Sequence, residues 1–364
     1  MIALSLSLAL AAAPPAPVSV LFAGDVTLGY HYEEYVDAQV AKGGAKDELL
    51  AWGFQRVKDV TTKADLFVVN LECPFTERGE KIPKNFNFRA RPELSAALAA
   101  GGVDVASLAN NHLLDYGPEG LFDTLSTLET LGIAHFGAGR TLTAARAPAI
   151  VERKGQRFAF LGYFFLGDRN IEPKQVIATA DQPGVAGDFS DLAAVKAMVE
   201  ADVRAARRQA DHVIPFFHWG REGATQPEPY QVELAHAAID AGAAAVVGSH
   251  PHVLQGVELY RDRPIAYSLG NFVFGGNWNP RDKRTALLEL RFTKSGPPAV
   301  AVRPAYSDAY PEVPVQPYLA EGAQAQAVLE HLATISAGFP RTIAPLTLKT
   351  PRPTADAGSD AGLE

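Results

Sequence analysis

Seven residues in this chain have the chemistry of metal ligands or their partners, and each falls at the end of an apolar run: Asp25, Glu72, Asn111, His112, His218, His250 and His252. Carboxylates, an amide and imidazoles without a thiolate suit hard-to-borderline divalent cations such as Mn, Fe or Zn. The densest part is Gly248-Ser249-His250-Pro251-His252, directly after the apolar run Ala243 to Val247. A His-x-His tip can aim both rings at one or two cations, and Pro251 fixes a torsion between them. Singly, each residue has a plain reading: His250 and His252 as exposed loop residues, Asp25 as a helix cap, Asn111 as a turn former. Their shared placement is what points to a metal site, because open α/β sheets keep their sites at the carboxyl ends of strands.

The elements that must carry these residues can be read from hydrophobic runs. Val18 to Ala23 reads as a first core strand ending in Gly24-Asp25, and Asp65 to Asn70 as a second ending near Glu72. Val103 to Leu108 leads into Asn110-Asn111-His112, and Val213 to Phe217 delivers His218-Trp219-Gly220. Helical spacing predicts helices over Glu33–Ala64, broken at Gly43-Gly44, then from Pro92, from Pro118, over Leu192–Ala210 and over Tyr230–Ala241. Two hairpins are expected, about Lys154-Gly155-Gln156 and about Arg261-Asp262-Arg263. The repeating pattern is strand, polar tip, helix.

With 364 residues, 47% hydrophobic and 20% charged, the chain has the composition of a globular α/β protein. Its formal charge of -8 argues against nucleic acid as the main partner, because a phosphate backbone rewards clustered Lys and Arg. Cys73 is the single cysteine, so neither an intramolecular disulfide nor a thiolate metal cluster is available. Met1 to Ala13 has the apolar length and the small-residue ending of an export signal, followed by a Pro14-Pro15-Ala16-Pro17 linker. The expected organisation is a leader and linker over 1–17, one domain over 18–310, a C-terminal extension with a helix over 311–348, and a disordered tail over 349–364.

At these residues the chain resembles the CapA-type poly-gamma-glutamate capsule biosynthesis proteins, a branch of the calcineurin-like metallophosphoesterase superfamily. The stretches that carry the resemblance are Phe22 to Gly29, Asn70 to Pro74, Ala109 to Gly117, His218 to Glu222, Gly248 to Gln255 and Tyr267 to Phe274. The resemblance implies a four-layer α/β/β/α metallophosphatase-like sandwich of two mixed sheets, with one or two divalent metal ions at the sheets' carboxyl edge. It implies Glu72 as the bridging acid, Asn111, His218 and His250 around one metal, and Asp25 and His252 around the other. His112 would stand beside a leaving group as general acid. Asp115, from its place three residues on, either hydrogen-bonds within the turn or orients His112. The superfamily usually opens with Asp-x-His, whereas here Asp25-Val26 is followed by Thr27, so the first metal position has lost one nitrogen ligand and keeps His252.

Two classes of function follow. One is an exported metal-dependent hydrolase acting on a phosphoester or amide of an anionic substrate, with Arg89 the first choice for gripping the anion. The other is a non-catalytic accessory subunit that binds an acidic polymer, polyglutamate by resemblance, for a membrane synthase.

Overall fold

The computed structural model describes residues 16–276, 279–308 and 315–343. The leader and the tail expected from the sequence lie outside these residues. Among them, no helix is long and apolar enough to cross a membrane.

Two large sheets stack face to face. The first runs in the order Gln316–Leu319, Ala299–Asp308, Arg284–Phe292, Val18–Thr27, Leu66–Leu71, Val105–Ser107, Ala134–Phe136, and Asn271–Phe274 also pairs with Val18–Thr27. The second runs Val257–Tyr260, Arg263–Ala266, Val246–Ser249, His212–Trp219, Gln156–Phe165, Ala149–Arg153. The strands that precede the candidate ligands are parallel to one another within each sheet, so their carboxyl ends share one edge. Arg284–Phe292, Ala299–Asp308 and Gln316–Leu319 in the first sheet, and both edge strands of the second, pair antiparallel, which makes both sheets mixed.

Side-chain alternation explains the stacking, since successive residues of a strand point to opposite faces. Val18, Val20 and Phe22 face the second sheet and meet Phe158, Phe160, Ile214 and Phe216, whereas Leu21 and Ala23 face the helices on the other side. On the second sheet, Ala159 and Leu161 turn outward to Val195, Val199 and Leu234 of helices Leu192–Ala206 and Pro229–Asp240. The result is the four-layer α/β/β/α sandwich that the resemblance implies.

One expectation changes. The helical region over 33–64 is several short pieces, His31–Ala41, Lys46–Leu50 and Lys58–Thr61 with a 3-10 turn at Trp52–Phe54. Within the expected C-terminal extension, residues 315–343 pack on the rest of the fold. Gln316–Leu319 adds an edge strand to the first sheet, and helix Gly322–Ser336 puts Val328, Leu332 and Ile335 into the core between the sheets.

Candidate metal centre

Asp25 and Asn70 are register partners on neighbouring parallel strands, and Glu72 follows one strand pleat beyond Asn70 on the same face. From the opposing sheet, His218 lies in register with Ser249, which precedes His250. Asp25 and Glu72 are fully buried, and His218 and His250 nearly so. The turn that carries the His-x-His tip is conformationally costly, because His250 and His252 hold φ of 96° and 57°, a region that favours glycine. Two close approaches bring the strands together. A Cβ on Gly24 would sit 1.8 Å from the Gly270 carbonyl oxygen, and one on Gly248 would sit 2.3 Å from that of Tyr267.

Four ligand-type atoms converge at one point. His218 Nε2 lies 2.8 Å from Asn111 Oδ1, 3.0 Å from His250 Nδ1 and 3.7 Å from Glu72 Oε1. Ligands at about 2.0–2.2 Å from one cation are separated from each other by distances of this size. His218 Nδ1 is 3.1 Å from the Ser249 hydroxyl, so an N–H donated there leaves the Nε2 lone pair facing the others. Asn111 Nδ2 donates to Glu172 Oε1 at 2.9 Å, which fixes the amide with its oxygen toward His218.

A second group, Asp25, Glu72 and His252, shares the Glu72 carboxylate, with His252 Nε2 3.9 Å from Glu72 Oε1. Glu72 Oε1 is buried, has no hydrogen-bond partner among the described residues, and is faced by the Nε2 atoms of His112, His218 and His252 at 3.7–4.0 Å. A buried carboxylate oxygen is costly to leave unpaired, and a cation between it and the imidazoles would satisfy it. The residues present therefore fit a divalent metal.

The electrostatics agree. Burial, reinforced by neighbouring imidazoles, holds His218 and His250 well below the ordinary histidine value, so both rings are neutral as ligation requires. Burial and the Asp25 carboxylate push Glu72 far up when no cation balances the pair. For His252, burial is outweighed by Asp25 and the value rises.

His112 sits apart from this convergence. It stacks on Phe88 with ring centroids 3.9 Å apart, Nδ1 is 2.6 Å from Asp115 Oδ2, and Nε2 faces Glu72 Oε1 at 4.0 Å. Burial, opposed by Lys84 and the Phe88 N–H, pushes the Asp115 carboxyl up to about 7. Asn111 and His112 thus diverge from one tip.

Sequence reasoning missed several participants. Asn70 Nδ2 donates to Asp25 Oδ1 at 2.9 Å, with His218 Nδ1 of the other sheet 3.3 Å away; its alternation with Glu72 was the available signal. Lys84 is buried between Asp115 Oδ1 at 2.9 Å and Glu172 Oε2 at 2.8 Å, and donates to the Asn111 carbonyl. Nothing in the polar loop about Lys84 announced this. Arg89 is not where the sequence suggested: its guanidinium lies 4.3 Å over the Tyr116 ring and does not line the cleft above the centre. That cleft, about 580 Å³, carries the cations Lys84 and Arg221 and the acids Asp168, Glu172, Glu222 and Glu228. His31 pairs with Glu34 on its own helix and belongs to neither ligand group, so it does not replace the histidine missing at Thr27.

Residues 19–276 match the family described as bacterial capsule synthesis protein PGA_cap. The capsule biosynthesis protein CapA of Bacillus anthracis is 31% identical over 294 residues, which cover 79% of this chain and 67% of that protein. A probable polyglutamine synthesis accessory protein of Mycobacterium tuberculosis is 36% identical over 256 residues, covering 68% of this chain and 66% of its own length. Among solved structures, a phosphatase described from Mycoplasma pneumoniae aligns over 81% of this chain and 96% of its own, with a TM-score of 0.46 and 12% identity.

Proposed function

The chain belongs to the bacterial capsule synthesis PGA_cap family, and from that premise we propose that it serves poly-gamma-glutamate capsule synthesis as an exported, metal-dependent hydrolase of an anionic phosphoester or amide. The observation that carries this reading is the orphaned, buried Glu72 oxygen enclosed by three imidazoles. Glu72, Asn111, His218 and His250 would hold one cation, and Asp25, Glu72 and His252 a second, of the Mn, Fe or Zn type. A divalent ion there supplies Lewis acidity toward a phosphoryl or acyl oxygen and makes water a usable nucleophile near neutral pH.

The chain's own residues supply the rest. Asp115 accepts the Nδ1–H of His112, which leaves the Nε2 lone pair facing the centre, where it can take a proton from the attacking water and return it to a departing oxygen or nitrogen. Lys84 and Glu172 tie two loops together beside Asn111 and keep its amide oriented. The cleft lining is net acidic on its own, four acids against two bases, so an anionic substrate would enter only against a bound cation.

A second reading, a non-catalytic polymer-handling subunit for a membrane synthase, is favoured by one observation. The Thr27 hydroxyl donates to the Glu72 carbonyl at 3.0 Å and so supplies nothing to the first metal position. Assays of metal-loaded protein on aryl phosphodiesters and on poly-gamma-glutamate separate the two. Turnover that disappears with a chelator and returns with metal supports the hydrolase; polymer binding without turnover of either supports the subunit.

A further inference from the structure

The segment Gly270-Asn271-Phe272 has no role in the reading so far, yet it is tied to the centre by backbone. Strand Asn271–Phe274 lies parallel to Val18–Thr27 with Asn271 opposite Asp25, and the Asp25 N–H donates to the Gly270 carbonyl at 3.0 Å. Gly24 permits this approach, since any Cβ there would strike that carbonyl. Gly270 itself holds φ of 72°. The result is that the Asn271 side chain emerges beside Asp25 and reaches His252: Asn271 Oδ1 is 2.8 Å from His252 Nδ1.

His252 Nδ1 also lies 3.3 Å from Asp25 Oδ2. An ionised carboxylate can only accept, so the proton between them belongs to Nδ1, and the Asn271 amide must present its oxygen there too. Phe274 packs on the ring with centroids 4.8 Å apart, limiting its rotation. We propose that Asn271 is the positioning residue of the first metal position: it holds His252 in the Nδ1–H tautomer and keeps the Nε2 lone pair directed at Glu72. This rests on the metal-centre reading above. It also accounts for how a position with Thr27 in place of a histidine keeps one well-aimed nitrogen. Partners of this kind typically change metal affinity by about 10–100-fold.

The test uses full-length protein in two states. In metal-free protein at pH 9, nitrogen-15 spectra of the histidine rings, assigned with His252→Gln, should show His252 as the Nδ1–H tautomer. Asn271→Ala should shift it toward the other tautomer, and Asn271→Asp, which keeps an acceptor, should restore it. Titration with Mn²⁺ should then show the weaker of two binding events loosened about 10–100-fold in Asn271→Ala, with the tighter event unchanged. An unchanged tautomer and unchanged weak affinity would overturn the proposal. Equal loss at both events would overturn it as well, by making Asn271 a general support of the fold. Should wild-type protein bind no Mn²⁺ at all, the metal reading fails, and the metal-free tautomer comparison still decides whether Asn271 sets the ring's proton.

Discussion

His112 Nδ1 lies 2.6 Å from Asp115 Oδ2, while Nε2 of the same ring points to Glu72 Oε1 at 4.0 Å. One nitrogen is committed to orientation and the other is available to the cleft. On the hydrolase reading, His112→Ala keeps metal content and folding and lowers kcat by about 10²-fold or more, the usual scale for a positioned acid or base. Asp115→Asn, which can no longer accept as a carboxylate, should lower kcat in the same direction while leaving bound metal unchanged. Loss of metal from His112→Ala would make His112 a ligand and reverse the roles of the Asn111-His112 pair.

The acid-rich cleft gives a prediction about substrate binding that does not depend on turnover. Inorganic phosphate, measured by calorimetry, should bind metal-loaded protein and fail to bind stripped protein, because Asp168, Glu172, Glu222 and Glu228 outnumber Lys84 and Arg221. Equal binding in both states would place the anion on protein groups alone.

How much of this was legible in the sequence follows from what a sequence can encode locally. The strands that carry or precede Asp25, Glu72, Asn111, His218 and His250 are almost wholly buried, mainly apolar runs, and such runs announce both the strand and the neighbourhood of its end. Lys84 and Glu172 come from loops without periodicity, and only the tertiary fold sets them beside Asn111. Arg89 was favoured because a guanidinium suits an anion, a chemical argument without position; the fold places it on Tyr116. Asn271 was visible in a strand-end motif, but its link to His252 depends on Gly24 and Gly270 bringing two distant strands together. A helix near Gln324 to Ile335 was expected and helix Gly322–Ser336 is found there, whereas its burial between the sheets was not expected, since amphipathic spacing names a buried face and not its partner.

Away from the centre, His212 sets a pH dependence of stability. It lies between Phe158 and Phe292 with Nε2 2.9 Å from Gln156 Oε1, and burial lowers it to about 4. The unfolded chain binds a proton near 6.5, so between about pH 6.5 and about pH 4 the unfolded state holds more protons and stability rises with pH. The contribution is complete above about 6.5 and is lost as the pH falls toward 4. Urea midpoints measured at pH 7.5 and pH 5 should differ less in His212→Gln than in wild type. An identical drop in both proteins would assign the dependence to other groups.

The central claim is that residues from both sheets meet to hold a divalent cation. The most direct measurement is the metal content of stripped protein after equilibration with Mn²⁺ or Zn²⁺ and gel filtration, compared with a His218→Ala/His250→Ala variant of unchanged circular dichroism. Wild type should retain at least one ion per chain and the variant should retain none tightly, because it loses two of the four converging ligand atoms. Equal retention by the two proteins, or none by wild type, would contradict the account.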